Sequence, residues 1–143
     1  MRFLMEKNIP AEIELVIPIM PSMELAASKT AQAVADYLDL DEEKTAEVTM
    51  ALIEACINAF EHGKSKDNNV YIRFILQEEA LIIEIKDKGK GFDSTKVEIP
   101  EIEKKLHSQR KRGWGLQLMR ELMDDVVIDS GEEGTTITMT KKR

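Results

Sequence analysis

Apolar and polar residues alternate at the start of the chain and then change to a helical period. Residues 12–19 begin with this alternation and contain Pro18, a pattern typical of an edge strand. Residues 23–38 are strong helix formers with apolar positions three and four apart, and Ser22 precedes them as a candidate N-cap. The chain therefore opens with a predicted strand followed by a predicted helix.

A second, longer helical pattern follows the first. It begins at Asp41, a residue type that often caps helices, and continues to His62. Gly63 comes next, at a position where helices commonly end. The pattern predicts a helix over residues 41–62.

The second half of the chain is richer in β-branched and aromatic residues. Residues 69–77 and 80–86 predict two strands of a hairpin. A polar stretch is followed by a helical period over 114–123, and then by two alternating segments, 126–129 and 135–140, joined by a connector over residues 130–134. The predicted order of elements is β-α-α-β-β-α-β-β.

This order predicts an α/β fold, a two-layer sandwich of a mainly antiparallel mixed sheet with helices on one face. No internal repeat, low-complexity tract or linker divides the 143 residues. We therefore expect one domain over residues 1–143.

Composition and charge narrow the functional classes. The chain is 43% hydrophobic and 33% charged, which is typical of a globular protein. A net charge of −7 argues against a general nucleic-acid binder or a protein that binds anionic membranes. The single cysteine, Cys56, lies in an apolar run where it is expected to pack as a small hydrophobe. No stretch is long enough to span a bilayer, so a cytoplasmic location is expected.

The second predicted helix carries the first candidate chemical motif. Glu54, Asn58 and His62 are four residues apart and project from one face of a helix. They can form a plain polar stripe that meets water. Under a pocket, the same carboxylate, amide and imidazole would supply a general base, a magnesium ligand and a polar support.

The second motif follows the strand predicted at 80–86. Asp87 stands at the end of that strand, and Gly89 and Gly91 follow it at alternate positions. Glycines allow a ligand to approach the backbone closely, and Asp87 offers a hydrogen-bond acceptor. Taken alone, the motif is equally consistent with a tight glycine turn beside a solvated aspartate.

Two further motifs lie near the C-terminus. Gly113, Gly115 and Leu116 open the predicted third helix, where free N–H groups and the helix dipole favour a phosphate. Residues 134–136, Gly-Thr-Thr, stand at the entrance of the last strand. Separately, these motifs are also consistent with a flexible helix start and a turn.

In this order the four motifs resemble the nucleotide-binding boxes of the Bergerat-fold ATPases, the superfamily that includes gyrase and the sensor histidine kinases. The sequence is most similar to the anti-sigma-factor serine/threonine kinases, because Glu-Ala-x-x-Asn-Ala begins at Glu54 and His62 follows Asn58 by four residues. The resemblance extends over residues 11–141.

The resemblance implies that ATP and Mg²⁺ are the cofactors and assigns a role to each motif. Glu54 is expected to activate the attacking hydroxyl, Asn58 to bind Mg²⁺, and Asp87 to accept a hydrogen bond from the adenine amino group. An ATP lid is expected over residues 93–115. The remaining expected nucleotide contacts are His62, Gly89, Gly91, Gly113, Gly115, Leu116 and Thr135.

The function that the resemblance implies is a protein serine/threonine kinase that is also an anti-sigma factor. In a partner-switching module it would phosphorylate a STAS-type antagonist and bind a sigma factor, and the resemblance suggests a homodimer. A non-catalytic module that uses ATP as a conformational ligand is the alternative. A sensor-histidine-kinase fragment is disfavoured, because neither His62 nor His107 lies on a dimerisation helix. The resemblance assigns no function to the basic stretch over residues 104–112.

Overall fold

The computed structural model describes residues 11–63, 65–89 and 115–143. Its elements follow the predicted order. They are β1 (Ala11–Pro18), α1 (Glu24–Tyr37), α2 (Glu42–His62), β2 (Asn69–Leu76), β3 (Ala80–Asp87), α3 (residues 115–122), β4 (Asp125–Gly131) and β5 (Gly134–Lys142). None of the helices within these ranges is long and apolar enough to cross a membrane.

The strands form one five-stranded sheet in the order β1-β2-β3-β5-β4. Each of the pairings between these described strands is antiparallel, so the predicted α/β class with a mainly antiparallel sheet is confirmed. β1 lies at one edge, as Pro18 predicted. The pairing of β3 with β5 brings Lys86 opposite Thr136, and it thereby sets two of the predicted motifs side by side.

One face of the sheet packs against the helices. Alternate residues of β2 and β3 are buried, and among them are Phe74, Ile83 and Ile85. The helices contribute small residues such as Ala51 and Ala55 to this core, which lets their backbones approach the sheet. The other face of the sheet is more exposed, as the period-two pattern of a half-buried sheet requires.

Cys56 is fully buried in this core. Its burial, with a smaller contribution from the charge of Glu24, raises the pKa of the Cys56 thiol to about 12. The thiol stays protonated at neutral pH and packs as an apolar side chain, which confirms the sequence-based interpretation.

The two predicted N-caps have different outcomes. Asp41 caps α2, because its Oδ1 accepts a hydrogen bond of 2.7 Å from the backbone N–H of Lys44. Ser22 does not cap α1: the N-cap is Met23, and no side chain caps this end of the helix. Ser22 instead has a φ of 72° and turns the chain between β1 and α1. The prediction for Ser22 was wrong because its backbone conformation is used by the turn.

The connector between β4 and β5 is shorter than predicted. Ser130 pairs with Thr135 and Gly131 pairs with Gly134, so the strands extend nearly to the turn. The Oγ atoms of Ser130 and Thr135 are 2.8 Å apart, and this hydrogen bond adds to the ladder. Glycine and serine suggested a loop here, but pairing with the neighbouring strand decides the structure.

Candidate functional site

The two ends of α2 determine which residues of the candidate motif lie on the helix. Asp41 caps the start of the helix, and Gly63 follows its last residue. Glu54, Asn58 and His62 are all partly buried, whereas Ala51, Ala55 and Ala59 face the core. Asn58 and His62 reach one pocket, and Glu54 lies one helical turn before Asn58. The predicted stripe therefore divides into two pocket residues and one carboxylate beside them.

Asp87 ends β3 and is 3% exposed. Its Oδ1 accepts hydrogen bonds from the backbone N–H groups of Gly89, at 2.9 Å, and Thr135, at 3.4 Å. Within the described parts of the chain, no donor is placed on the other oxygen, Oδ2. The carboxylate is thus held by one oxygen and retains an acceptor for a ligand.

The pocket next to Asp87 has mostly apolar walls. Its space is about 260 Å³, including the part that is open to solvent. The residues that line it are Asn58, Ala59, His62, Gly63, Ile85, Asp87, Thr135 and Ile137. Apolar walls beside a buried carboxylate suit a flat ring that carries an N–H donor, because the apolar side chains can cover the ring and the carboxylate can fix its orientation.

The apolar walls were not predicted from the sequence. Ile85 lies two residues before Asp87, and Ile137 lies two residues after Thr135. Residues at alternate positions of a strand share one face, so this spacing was a usable signal once Asp87 and Thr135 were candidates. Thr135 itself is 4% exposed and lines the pocket.

Gly63 lines the pocket, a role that was not predicted from the sequence. Its φ of −68° is an ordinary helical value, so the backbone conformation does not require glycine. A Cβ on Gly63 would instead lie 2.5 Å from the backbone carbonyl oxygen of Ala59, 2.8 Å from Cγ of Asp87 and 3.0 Å from Oδ2 of Asp87. Glycine is needed because both the carbonyl group of Ala59 and the carboxyl group of Asp87 pack directly against it.

Glu54 lies beside the start of the described part of α3. A Cβ added to Gly115 would be 3.0 Å from Oε2 of Glu54. Leu116, the next residue, is partly buried and packs against the core. The structure therefore places Gly115 beside the predicted base, whereas the side chain of Leu116 contacts the core. Gly91, Gly113 and residues 93–114 of the predicted lid lie outside the described residues.

A surface cluster fixes the segment that follows Asp87. Asp67 accepts hydrogen bonds from the hydroxyl groups of Tyr71 and Ser65, and Lys88 lies 3.8 Å from its Oδ2. The hydrogen bonds from Tyr71 and then Ser65, with a smaller effect of the Lys88 charge, lower the pKa of Asp67 to about 2. Lys88 also lies 4.3 Å from the centre of the Tyr71 ring. Its charge is thereby held at the surface beside Asp67 and Tyr71.

Comparison with known proteins identifies the family of the chain. Residues 21–141 match the family model of the histidine kinase-like ATPase domain. The chain is 36% identical over 141 residues to the serine-protein kinase RsbW of Bacillus cereus strain AH187, covering 95% of this chain and 82% of that protein. It is also 36% identical over 143 residues to the serine-protein kinase RsbW of Staphylococcus aureus strain JH9, covering 95% of this chain and 84% of the relative.

Two solved structures share the fold. One is the crystal structure of the RsbU and RsbW domains of a Mycobacterium tuberculosis protein, with a TM-score of 0.69 and 18% identity; the match covers 92% of this chain and 31% of that longer chain. The other is the histidine kinase domain of a blue-light activated kinase from Erythrobacter litoralis, with a TM-score of 0.52, 14% identity and coverage of 87% and 61%.

Proposed function

The chain belongs to the histidine kinase-like ATPase domain family, and we propose that it is an ATP-dependent serine/threonine protein kinase and anti-sigma factor of a partner-switching module. The observation that carries the kinase assignment is the 36% identity to serine-protein kinases over 95% of the chain. A sigma factor and a STAS-type antagonist in the cytoplasm are the partners of this proposal, and the antagonist is the phosphate acceptor.

The Asp87 pocket is the proposed adenine site. Oδ2 of Asp87 accepts a hydrogen bond from the adenine amino group, while Ile85 and Ile137 cover the ring. Thr135 lies beside Asp87 in the same pocket, where its backbone N–H orients the carboxylate. ATP supplies the phosphoryl group for transfer.

Magnesium fits this site as an ion held mainly by phosphate oxygens. No cluster of three or more His, Cys, Asp or Glu side chains is present among the residues that the structure describes. Asn58 offers an amide oxygen on the pocket wall, and Mg²⁺ commonly takes one or two protein ligands besides phosphates and water. Asn58 is therefore the proposed ligand, and the ion would neutralise charge on the triphosphate.

Glu54 is the proposed general base. Its carboxylate lies one turn before Asn58 on the same helix, so it would be near a triphosphate whose magnesium ion is bound by Asn58. It accepts the proton of the attacking serine or threonine hydroxyl of the antagonist. His62, at the other end of the stripe, is a polar wall of the adenine pocket.

Mixing the wild-type protein with its cognate STAS-type antagonist and labelled Mg-ATP tests the proposal. We expect the label on a serine or threonine of the antagonist, because a base, a metal ligand and a bound nucleotide are a sufficient set for phosphoryl transfer. Intact-mass measurement and fragmentation would locate the phosphate. Tight binding of both ATP and antagonist without any labelling would refute the kinase and favour the ATP-switched binding module.

Replacing Gly63 by alanine tests the pocket itself. The new Cβ would clash with the backbone carbonyl of Ala59 and displace the Asp87 carboxyl group, so we expect ATP affinity to fall by roughly 10- to 100-fold, the cost of losing a hydrogen bond to a charged group. Titration calorimetry with a non-hydrolysable ATP analogue measures this. Gly131→Ala is the control, because nothing lies within 4 Å of its added Cβ. Wild-type affinity in a folded Gly63→Ala protein would contradict the proposed close packing.

A further inference from the structure

Lys141 is a buried lysine that the proposed reaction does not use. It lies on β5 and is 6% exposed. Its Nζ donates a hydrogen bond of 2.6 Å to the backbone carbonyl of Leu122 and forms an ion pair of 3.2 Å with Oε1 of Glu47. A buried ammonium group is costly unless it is paired and hydrogen-bonded, so both contacts are needed to keep it there.

The two partners of Lys141 belong to different helices. Leu122 is the last helical residue of α3, and its carbonyl is among those that have no partner within the helix. The helix dipole also stabilises a cation at the C-terminal end of a helix. Glu47 lies on α2. Lys141 therefore joins the C-terminal end of α3 to the side of α2.

The other end of α3 also contacts α2, and the two contacts are the same number of residues apart on both helices. Glu54 follows Glu47 by seven positions on α2, and Leu122 follows Gly115 by seven positions on α3. Seven residues of helix span roughly 10.5 Å and return to within about 20° of the same face. Gly115 lies against Glu54 while Leu122 is joined to Glu47, so the two helices run antiparallel with equal distances between their contacts.

We propose that Lys141 is a positioning residue for phosphoryl transfer: it fixes α3 along α2 and thereby holds Gly115 against the Glu54 carboxylate. This inference rests on the proposed function of Glu54. Gly115 has no side chain with which to hold the Glu54 carboxylate. The position of the carboxylate therefore depends on where the backbone of α3 lies along α2. The adenine pocket is built from α2, β3 and β5 without α3, so a shift of α3 should affect transfer more than nucleotide binding, to which α3 would add only its predicted phosphate contacts at Gly115 and Leu116.

Lys141→Met tests this inference, since it keeps the length and apolar stem of the side chain and removes the ammonium group. We expect ATP affinity to stay within about threefold of wild type and kcat for antagonist phosphorylation to fall about 10- to 100-fold, the size expected when a reacting group is displaced by about 1 Å. The matched control is Lys142→Met. The hydrogen bonds that Lys142 makes to Lys44 and Asp124 use its backbone carbonyl and N–H, so its side chain can be changed without losing them.

Two further measurements separate positioning from simple stability. Amide hydrogen exchange over residues 115–122 should be faster in Lys141→Met, with exchange in β2 and β3 unchanged. Glu47→Gln keeps the side-chain volume and should lower kcat in the same direction with ATP affinity retained, and it carries the test if Lys141→Met does not fold. An equal loss of ATP affinity and kcat, or a folded variant with wild-type kcat, would overturn the inference. If the wild type transfers no phosphate, the proposed kinase fails, and unchanged exchange at 115–122 would then overturn the helix contact separately.

Discussion

Replacing Glu54 by glutamine should leave ATP binding almost intact and lower phosphoryl transfer to the antagonist by about 10²- to 10⁴-fold, the usual contribution of a general base. Glutamine keeps the shape of the side chain but cannot accept the hydroxyl proton. Glu54 is also outside the pocket that holds the proposed adenine site, so its loss does not remove a binding contact there. Single-turnover transfer with saturating ATP measures the chemical step, and calorimetry measures ATP affinity.

The control for this variant is Glu43→Gln, an exposed glutamate in the first turn of the same helix. It should change neither affinity nor transfer, because a solvated surface carboxylate contributes little. A Glu54→Gln protein that transfers phosphate at the wild-type rate would exclude Glu54 as the base. Loss of ATP binding and transfer together would indicate a damaged site and would contradict the separation of roles proposed for α2.

Much of the fold is predictable because its signals are local. The strand predicted over residues 69–77 is observed as Asn69–Leu76, and the strand predicted over 80–86 as Ala80–Asp87. Period-two alternation defines such strands without knowledge of their neighbours. The same local reasoning gave a wrong prediction for Ser22. Its side chain suits an N-cap, but its backbone forms a turn.

The site is less predictable because its parts meet through the sheet. Asp87 and Thr135 are 48 positions apart, and the register that pairs Lys86 with Thr136 brings them into contact. No local pattern gives that register, so the motifs were joined by family resemblance. Gly63 and Lys141 were missed for a related reason: their roles depend on side chains from distant strands and helices, which neither composition nor period encodes.

Asp87→Asn should lower ATP affinity by at least about 100-fold, because it changes the acceptor in the pocket into a donor. The backbone N–H groups of Gly89 and Thr135 both point at Oδ1, so they would hold the oxygen of the new amide there. The amide NH₂ would then occupy the place of Oδ2 and face the adenine amino group, donor against donor. Calorimetry with ATP and melting curves without nucleotide separate binding from folding.

The same orientation of the amide predicts a change in specificity. Inosine triphosphate carries a carbonyl oxygen where ATP carries the amino group, so the Asp87→Asn protein should prefer it to ATP, whereas the wild type should prefer ATP. Asp125→Asn, an exposed aspartate of β4, is the control and should bind both nucleotides as the wild type does. An Asp87→Asn protein that is folded and binds ATP with unchanged affinity would exclude Asp87 as the adenine acceptor. Reduced ATP affinity without a gain in the preference for inosine triphosphate would show that Asp87 shapes the pocket but does not contact the base.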